Sequence, residues 1–308
     1  MAYRLSIADD VPGGVRNCAR EQLAGAVERL EGAGRDPVTA VHEARKHLKK
    51  TRALLRLMRP ALGKQAYRAE NGALREAGLA LSGTRDADVL VATAGALAEH
   101  AAGRLPADVF EALGAALAAE AADGRDGGHG EAADLGPVID QLRAAELRVE
   151  RWPLEGADWG TVLDGVTRAY VRGREAFAAA RAATEPELLH AWRKRAKDLW
   201  YQQRLLTPAW PALLEAQAEE AHALTELLGD DHDLAVLTAR LADDARPLAP
   251  AVDARRAELR ALAAHRSDEL RAEAIRLGRR VYAESPKAFS RRLGRYVELA
   301  VDESQAGA

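Results

Sequence analysis

The chain has 308 residues, 48% of them hydrophobic but only 5% aromatic, and a formal net charge of −3. This balance excludes a histone-like or general nucleic-acid-coating protein. The single cysteine, Cys18, excludes an internal disulfide framework and fits a reducing cytoplasm. The length allows one large domain or two of about 150 residues. Ala, Leu, Glu and Arg outnumber the β-branched and aromatic strand formers, so the fold class is all-α, with a core of close-packed Ala and Leu seams.

The N-terminal stretch MAYRLSIADDVPGG has no basic region followed by an apolar one, so no signal peptide is expected. No window approaches 18 uncharged apolar residues, so no membrane span is expected either, and the expected location is cytoplasmic. A first helix starts near Asp10, with Pro12 in its first turn, and ends by Gly32–Gly34. Cys18 on this helix reads as a small buried residue rather than a nucleophile. A second helix runs from Pro37 to Arg59, with Asp36 as N-cap and Pro37 at N1. A third covers 64–81 and a fourth 86–102. Pro106 opens a fifth that ends in the glycine-rich loop DGRDGGHG (123–130), and Pro137 opens a sixth that ends at Trp152–Pro153. A long helix over 158–183 follows, and TEP at 184–186 caps the next, which runs to Leu206. Helices over 209–228 and 232–242, a break at RPLAP (246–250), helices over 251–280 and Ser285–Ala300, and a frayed tail over 301–308 complete the prediction.

The second helix stands out. Over Val41–Pro60 it carries Arg45, Lys46, Lys49, Lys50, Arg52, Arg56 and Arg59 against one acid, Glu43. At about 100° per residue, Val41, Ala44, Leu48, Thr51, Leu55, Met58 and Leu62 form an apolar stripe. His42, Arg45, Lys46, Lys49, Arg52 and Arg56 form a basic stripe roughly opposite.

The same pattern recurs. HEARKHLKKTRALLRLMRP (42–60) aligns without gaps on HAWRKRAKDLWYQQRLLTP (190–208), matching His42 with His190, Arg45–Lys46 with Arg193–Lys194, Lys49 with Lys197 and Arg56 with Arg204. LSGTRDADVL (81–90) then aligns on LGDDHDLAVL (228–237) at nearly the same offset, pairing Arg85–Asp86 with His232–Asp233. Two ordered matches point to a tandem duplication with its seam near residue 150. Each half is expected to be an antiparallel helical bundle, and a pseudo-twofold pairing would bring the two basic helices to one surface.

A solvated face is the ordinary explanation of a charge run. Here almost no acids sit at i±4 to pair the cations, and five of the seven lysines (Lys46, Lys49, Lys50, Lys194, Lys197) lie in these two segments of an arginine-rich chain. Unpaired like charges at i,i+4 repel, a cost that a bound polyanion removes. Nucleic acid usually needs stacking platforms or base-reading side chains. The first stripe has no aromatic, and Trp200 and Tyr201 on the second are equally compatible with bundle packing. A ligand made of phosphoryl charge alone fits better, gripped by arginine forks and lysine point charges. No specific nucleic-acid or membrane partner is expected. A metal site through His42 and His47 is weak, since they lie about 140° apart on the helix. Asp230–Asp231–His232–Asp233 resembles a metal or phosphohydrolase cluster, but its counterpart is Arg85–Asp86, and Asp86 and Asp233 read better as orienting neighbouring cations or capping the following helix. No catalytic motif, metal site or cofactor site is assigned. The alternatives left open are a metal-dependent phosphohydrolase using His42, His190 and 230–233, and an adaptor that docks an acidic protein.

The blocks H-x-x-R-K-x-x-K-K-x-R (42–52), H-x-x-R-K-x-x-K (190–197) and the L-G-x-x-R-D-x-D-V-type block (81–89) resemble signatures of the CHAD family, the conserved histidine α-helical domain. RAYVRGREAF (168–177) and SPKAFSRRLGRYVE (285–298) add to the resemblance, which spans 10–300. The chain departs from the pattern at Ser82, in place of glycine, and at Asp198, opposite Lys50. The resemblance implies one domain over 10–300, built of two four-helix-bundle halves, 10–150 and 151–300. It further implies a basic central groove or pore that binds inorganic polyphosphate, location at polyphosphate granules, and a stand-alone binding module without a triphosphate-tunnel hydrolase. Carried over by position, the ligand-facing set is His42, Arg45, Lys46, Lys49, Lys50, Arg52, Arg56, His190, Arg193, Lys194, Lys197 and Arg204. Arg16, Arg20, Arg168, Tyr170, Arg172, Arg291 and Arg292 are further candidates on flanking helices.

Overall fold

The computed structural model describes residues 3–34, 36–81, 85–126, 134–183 and 185–306, the side chains of 85–87 and 124–126 excepted. Among these residues the chain is all-α: α1 (Val11–Glu31), α2 (Pro37–Leu57), α3 (Arg59–Ala80), α4 (Arg85–His100), α5 (Ala107–Asp126), α6 (Gly136–Val149), α7 (Trp159–Ala182), α8 (Pro186–Leu205), α9 (Pro211–Leu241), α10 (Pro250–Asp253), α11 (Arg256–Val281) and α12 (Pro286–Ala306), with a 3₁₀ turn at Thr207–Ala209.

The starts of the helices follow local chemistry. The Asp10 carboxylate accepts from Gly13 N at 3.2 Å, and Asp36 accepts from Thr39 N at 3.0 Å with Pro37 next in the chain. Asp158 and Thr161 form a reciprocal capping box at the head of α7. Gly63, at φ +74°, breaks α3 after its first turn, which is why the regular helix starts at the expected residue 64.

Three boundaries differ from expectation. The helices expected over 209–228 and 232–242 are one helix, α9, so Asp233 caps nothing. A helical glycine costs only about 1 kcal/mol, and packing covers that at Gly229, over which the Arg193 guanidinium lies. Asp231 in the same segment is buried and satisfied from α11, accepting from Arg271 Nε at 2.8 Å and from Ser267 Oγ, rather than closing a backbone turn. The expected helix over 251–280 starts as the short α10 and resumes as α11, and α12 continues through Ala306 instead of ending at Ala300. Ser82 and Thr184 lie outside the described residues, as do the glycine-rich loop from 127 to 130 and the side chain of Asp86.

The buried side chains form two cores. The larger joins α1, α2, α3 and α6 to α7, α8, the first part of α9, the end of α11 and α12. The smaller joins Leu97, Leu113 and Leu117 of the α4–α5 hairpin to Leu234, Leu237, Leu241, Val252, Leu259 and Leu270. The cores therefore do not divide at residue 150, because α4 and α5 pack on helices of the second half. Helix length explains this. The 31 residues of α9 span about 46 Å, so its last turns reach past the larger core with an apolar face that α4 and α5 cover.

Helix α7 approaches the end of α2 closely at Gly165, where a Cβ would stand 2.6 Å from the Leu57 carbonyl oxygen. Gly72, inside α3, has nothing within 4 Å of its virtual Cβ. Gly165→Ala is expected to lower stability by about 1–2 kcal/mol net of its gain in helix propensity, while Gly72→Ala raises it by up to about 1 kcal/mol. Thermal melts of the two variants, with opposite shifts in Tm, check this.

Candidate anion-binding site at the crossing of two basic helices

Helix α2 buries the apolar stripe its sequence predicts: Ala44, Leu48, Thr51, Leu55, Met58 and Leu62 are buried and Val41 is half-buried. Helix α8 buries Leu189, Trp192, Ala196 and Leu199 in the same way. None of the twelve residues of the ligand-facing set is buried. Lys46 and Lys194 are exposed, and the other ten are half-buried. Each helix thus commits one face to the core and leaves its cations at the boundary with water.

The two helices touch near their C-terminal halves. Gln202 Nε2 donates to the Ala53 carbonyl at 3.3 Å, Arg56 Nη2 lies 2.7 Å from Asp198 Oδ1, and Lys50 and Arg204 each lie 5.8 Å from the centroid of the Tyr3 ring. Moving forward along α2 from 50 to 56 means moving backward along α8 from 204 to 198, so the pair is antiparallel. A shift of 148 positions takes Lys50 to Asp198 and Arg56 to Arg204. The sequence alignment thus pairs Lys50 with Asp198 and Arg56 with Arg204, all four of which lie at the crossing.

Asp198 gathers arginines. Arg195 lies 3.4 Å from its second oxygen, and its charge also reaches Arg52, whose pKa burial and Arg56 lower. Arg52 Nε donates to Asn71 Oδ1 at 3.1 Å. At the crossing the Tyr3 hydroxyl also donates to the Lys50 carbonyl at 2.9 Å, and its ring meets Tyr201 edge-on. Burial, then the Arg204 and Lys46 charges, lower the pKa of Lys50.

The N-terminal parts of the stripes lie further out. Arg45 donates to the Leu81 carbonyl at 3.0 Å, Lys46 pairs with Glu43 at 2.9 Å, and His42 lies 4.0 Å from the same carboxylate. On α8, Arg193 lies over Gly229, and the His190 ring is 5.0 Å from that of His232. The buried Nδ1 of His190 has no hydrogen-bond partner among the described residues. Burial, then Lys194, His232 and Arg193, lower its pKa and favour the neutral ring.

The flanking candidates separate. Tyr170 is 1% exposed, stacked on Phe289 with its hydroxyl donating to the Glu284 carbonyl, so it belongs to the core and has no face to offer a ligand. Arg292 is forked onto Glu284, Arg16 binds the Trp152 carbonyl and Glu155, and Arg20 binds Glu150. These three serve as structural ties. Arg168 donates to the Leu57 carbonyl at 3.2 Å, close to the crossing, while Arg172 and Arg291 are exposed.

The 230–233 cluster does not converge. Asp231 is bound by α11, His232 faces His190, and Asp230 and Asp233 line a cavity of about 330 Å³ with His100 and Arg266. Among the described residues, no group of three or more His, Cys, Asp or Glu side chains is arranged to hold a metal ion. Likewise, no helix is long and apolar enough to cross a membrane.

Sequence reasoning missed Tyr3. It precedes the first helix and follows no periodic pattern, yet it is 3% exposed and Leu5 N donates to the Leu205 carbonyl beside it. His47 was also missed as a structural residue. Its Nδ1 lies 3.0 Å from Gln22 Oε1, and a Cβ on Gly25 would stand 2.7 Å from its ring.

The family model described as CHAD domain matches residues 17–242, which run from α1 to the end of α9 and include both basic helices. The SPKAFSRRLGRYVE block lies beyond the matched residues. No curated protein matches the sequence.

Burial, then the charges of Lys50 and Arg29, push the His47 pKa down to about 4 from an ordinary 6.5. The unfolded chain therefore binds the proton more tightly, and stability falls as pH drops from about 6.5 towards 4. His47→Gln is expected to remove this part of the acid sensitivity. Urea unfolding at about pH 7 and pH 5 checks it, by a smaller loss in the variant than in the wild type.

Proposed function

The chain belongs to the CHAD domain family, and from that premise we propose that it binds inorganic polyphosphate along the basic faces of α2 and α8. The observation that carries the reading is the antiparallel crossing, which joins two cation rows that are separate in the sequence. With residues 50–56 of α2 beside 204–198 of α8, His42 and His190 fall at opposite ends of the pair, on the order of 30 Å apart along it. A linear polyanion satisfies such a row better than a compact anion.

The mechanism is multivalent. Guanidinium forks and ammonium groups form charge-assisted contacts to phosphoryl oxygens, and the counterions released on both sides make affinity fall steeply with salt. The reading is one of binding without turnover, in the cytoplasm and at polyphosphate granules. The sparse aromatic surface of the stripes favours phosphoryl chains over nucleic acid.

Lys49→Glu combined with Lys197→Glu reverses one charge on each row. The double variant is expected to weaken long-chain polyphosphate binding by about tenfold or more, with helicity unchanged by circular dichroism. Titrations at several salt concentrations, with DNA and triphosphate as controls, test the proposal. Unchanged affinity in the double variant would remove these faces as the site, and binding to DNA as tight as to polyphosphate would remove the ligand assignment.

A further inference from the structure

The two sides of the α2–α8 crossing are equivalent by sequence repeat and unequal in charge. On one side Arg56 and Asp198 pair at 2.7 Å with side chains 25% and 13% exposed, and Arg195 adds a second cation to the same carboxylate. The position equivalent to Asp198 is Lys50, and it and Arg204 each lie 5.8 Å from the centroid of the Tyr3 ring.

We propose that Asp198 is a built-in counter-ion that confines phosphoryl binding at the crossing to the Lys50–Arg204 side. The inference rests on the polyphosphate reading above and assigns which cations of that site take the ligand.

Three observations support it. A phosphoryl oxygen approaching Arg56 competes with a carboxylate already in place, in a setting largely removed from water, where screening is weak. Near Lys50 and Arg204, among the described residues, no carboxylate lies within ion-pair distance of either cation. Their shared neighbour is an aromatic face, and a cation–π contact at 5.8 Å is a weaker partner than a charge-assisted hydrogen bond. Tyr3 does not supply negative charge in place of a carboxylate. Its hydroxyl proton is committed to the Lys50 carbonyl, and burial raises its pKa well above the ordinary phenol value. Burial lowers the pKa of Lys50 most, the Arg204 and Lys46 charges add to it, and Glu43 offsets them only in part.

The test is a mutant cycle read by polyphosphate titration across salt concentrations. Arg204→Gln is expected to weaken binding about tenfold and to lower the salt slope by roughly one. Arg56→Gln in the wild-type background is expected to cost under about threefold. Asp198→Asn is expected to tighten binding and steepen the salt slope, since it releases Arg56 to the ligand. In the Asp198→Asn background, Arg56→Gln is then expected to cost about tenfold. Circular dichroism melts accompany each variant, and Asp198→Ser replaces Asp198→Asn should the latter not fold. Equal losses from Arg204→Gln and Arg56→Gln, or an affinity and slope untouched by removing Asp198, overturn the inference while leaving polyphosphate binding intact. A wild-type protein that does not bind polyphosphate overturns both.

Discussion

The arrangement depends on one contact, the antiparallel packing of α2 against α8. Its centre is the buried Gln202 carboxamide on the Ala53 carbonyl, flanked by Ala53, Leu54 and Leu205, none measurably exposed. Helices α1 and α3 pack on α2, while α7 and α9 pack on α8, so the contact ties two helical groups into the larger core. It also fixes where the charges go. With the apolar stripes committed inward, the cations of both helices must meet at the crossing. Like charges there repel, and the repulsion is offset in two ways: the Tyr3 ring lies beside both Lys50 and Arg204, and Asp198 neutralises Arg56.

A second constraint is the length of α9. Continuous through the Gly229–Asp233 segment, it carries Asp230 to Asp233 around a regular helix, which separates residues that look like a cluster in the sequence. Its C-terminal turns need apolar cover, and α4 and α5 provide it across the sequence seam. A half-buried ion pair closes this second core, with the buried Arg240 of α9 forked onto Glu120 of α5 and also donating to the Arg246 carbonyl. Burial of Arg240 is matched by a hydrogen bond from each of its three guanidinium nitrogens, the condition under which a buried charge is tolerated.

The many arginines thus do two kinds of work. Away from the crossing they are ties: Arg16, Arg20, Arg148, Arg240, Arg256 and Arg292 all end on carboxylates or carbonyls of other segments. At the crossing they outnumber the acids. That local excess, in a chain with a net charge of −3, is what distinguishes this surface from the rest of the protein.

By itself, the sequence determined the all-α class, the cap at Asp36, the helix starts near Asp10 and Asp158, and the division of α2 into a buried and a basic face. It also shows the gapless alignment of the 42–60 and 190–208 blocks. These features are local or periodic, set by capping chemistry and the 3.6-residue repeat, and they need no partner to be recognised. Only the tertiary structure decided that α9 runs unbroken, that α4 and α5 join the far core, that Tyr170 is a packing residue, and that Asp198 pairs with Arg56 while Tyr3 lies against Lys50 and Arg204. Those outcomes depend on contacts between residues far apart in the chain, from Arg193 with Gly229 to Arg56 with Asp198 and Tyr3 with Arg204. No local pattern encodes such a contact, because which of several equivalent cations meets a carboxylate depends on where two helices cross.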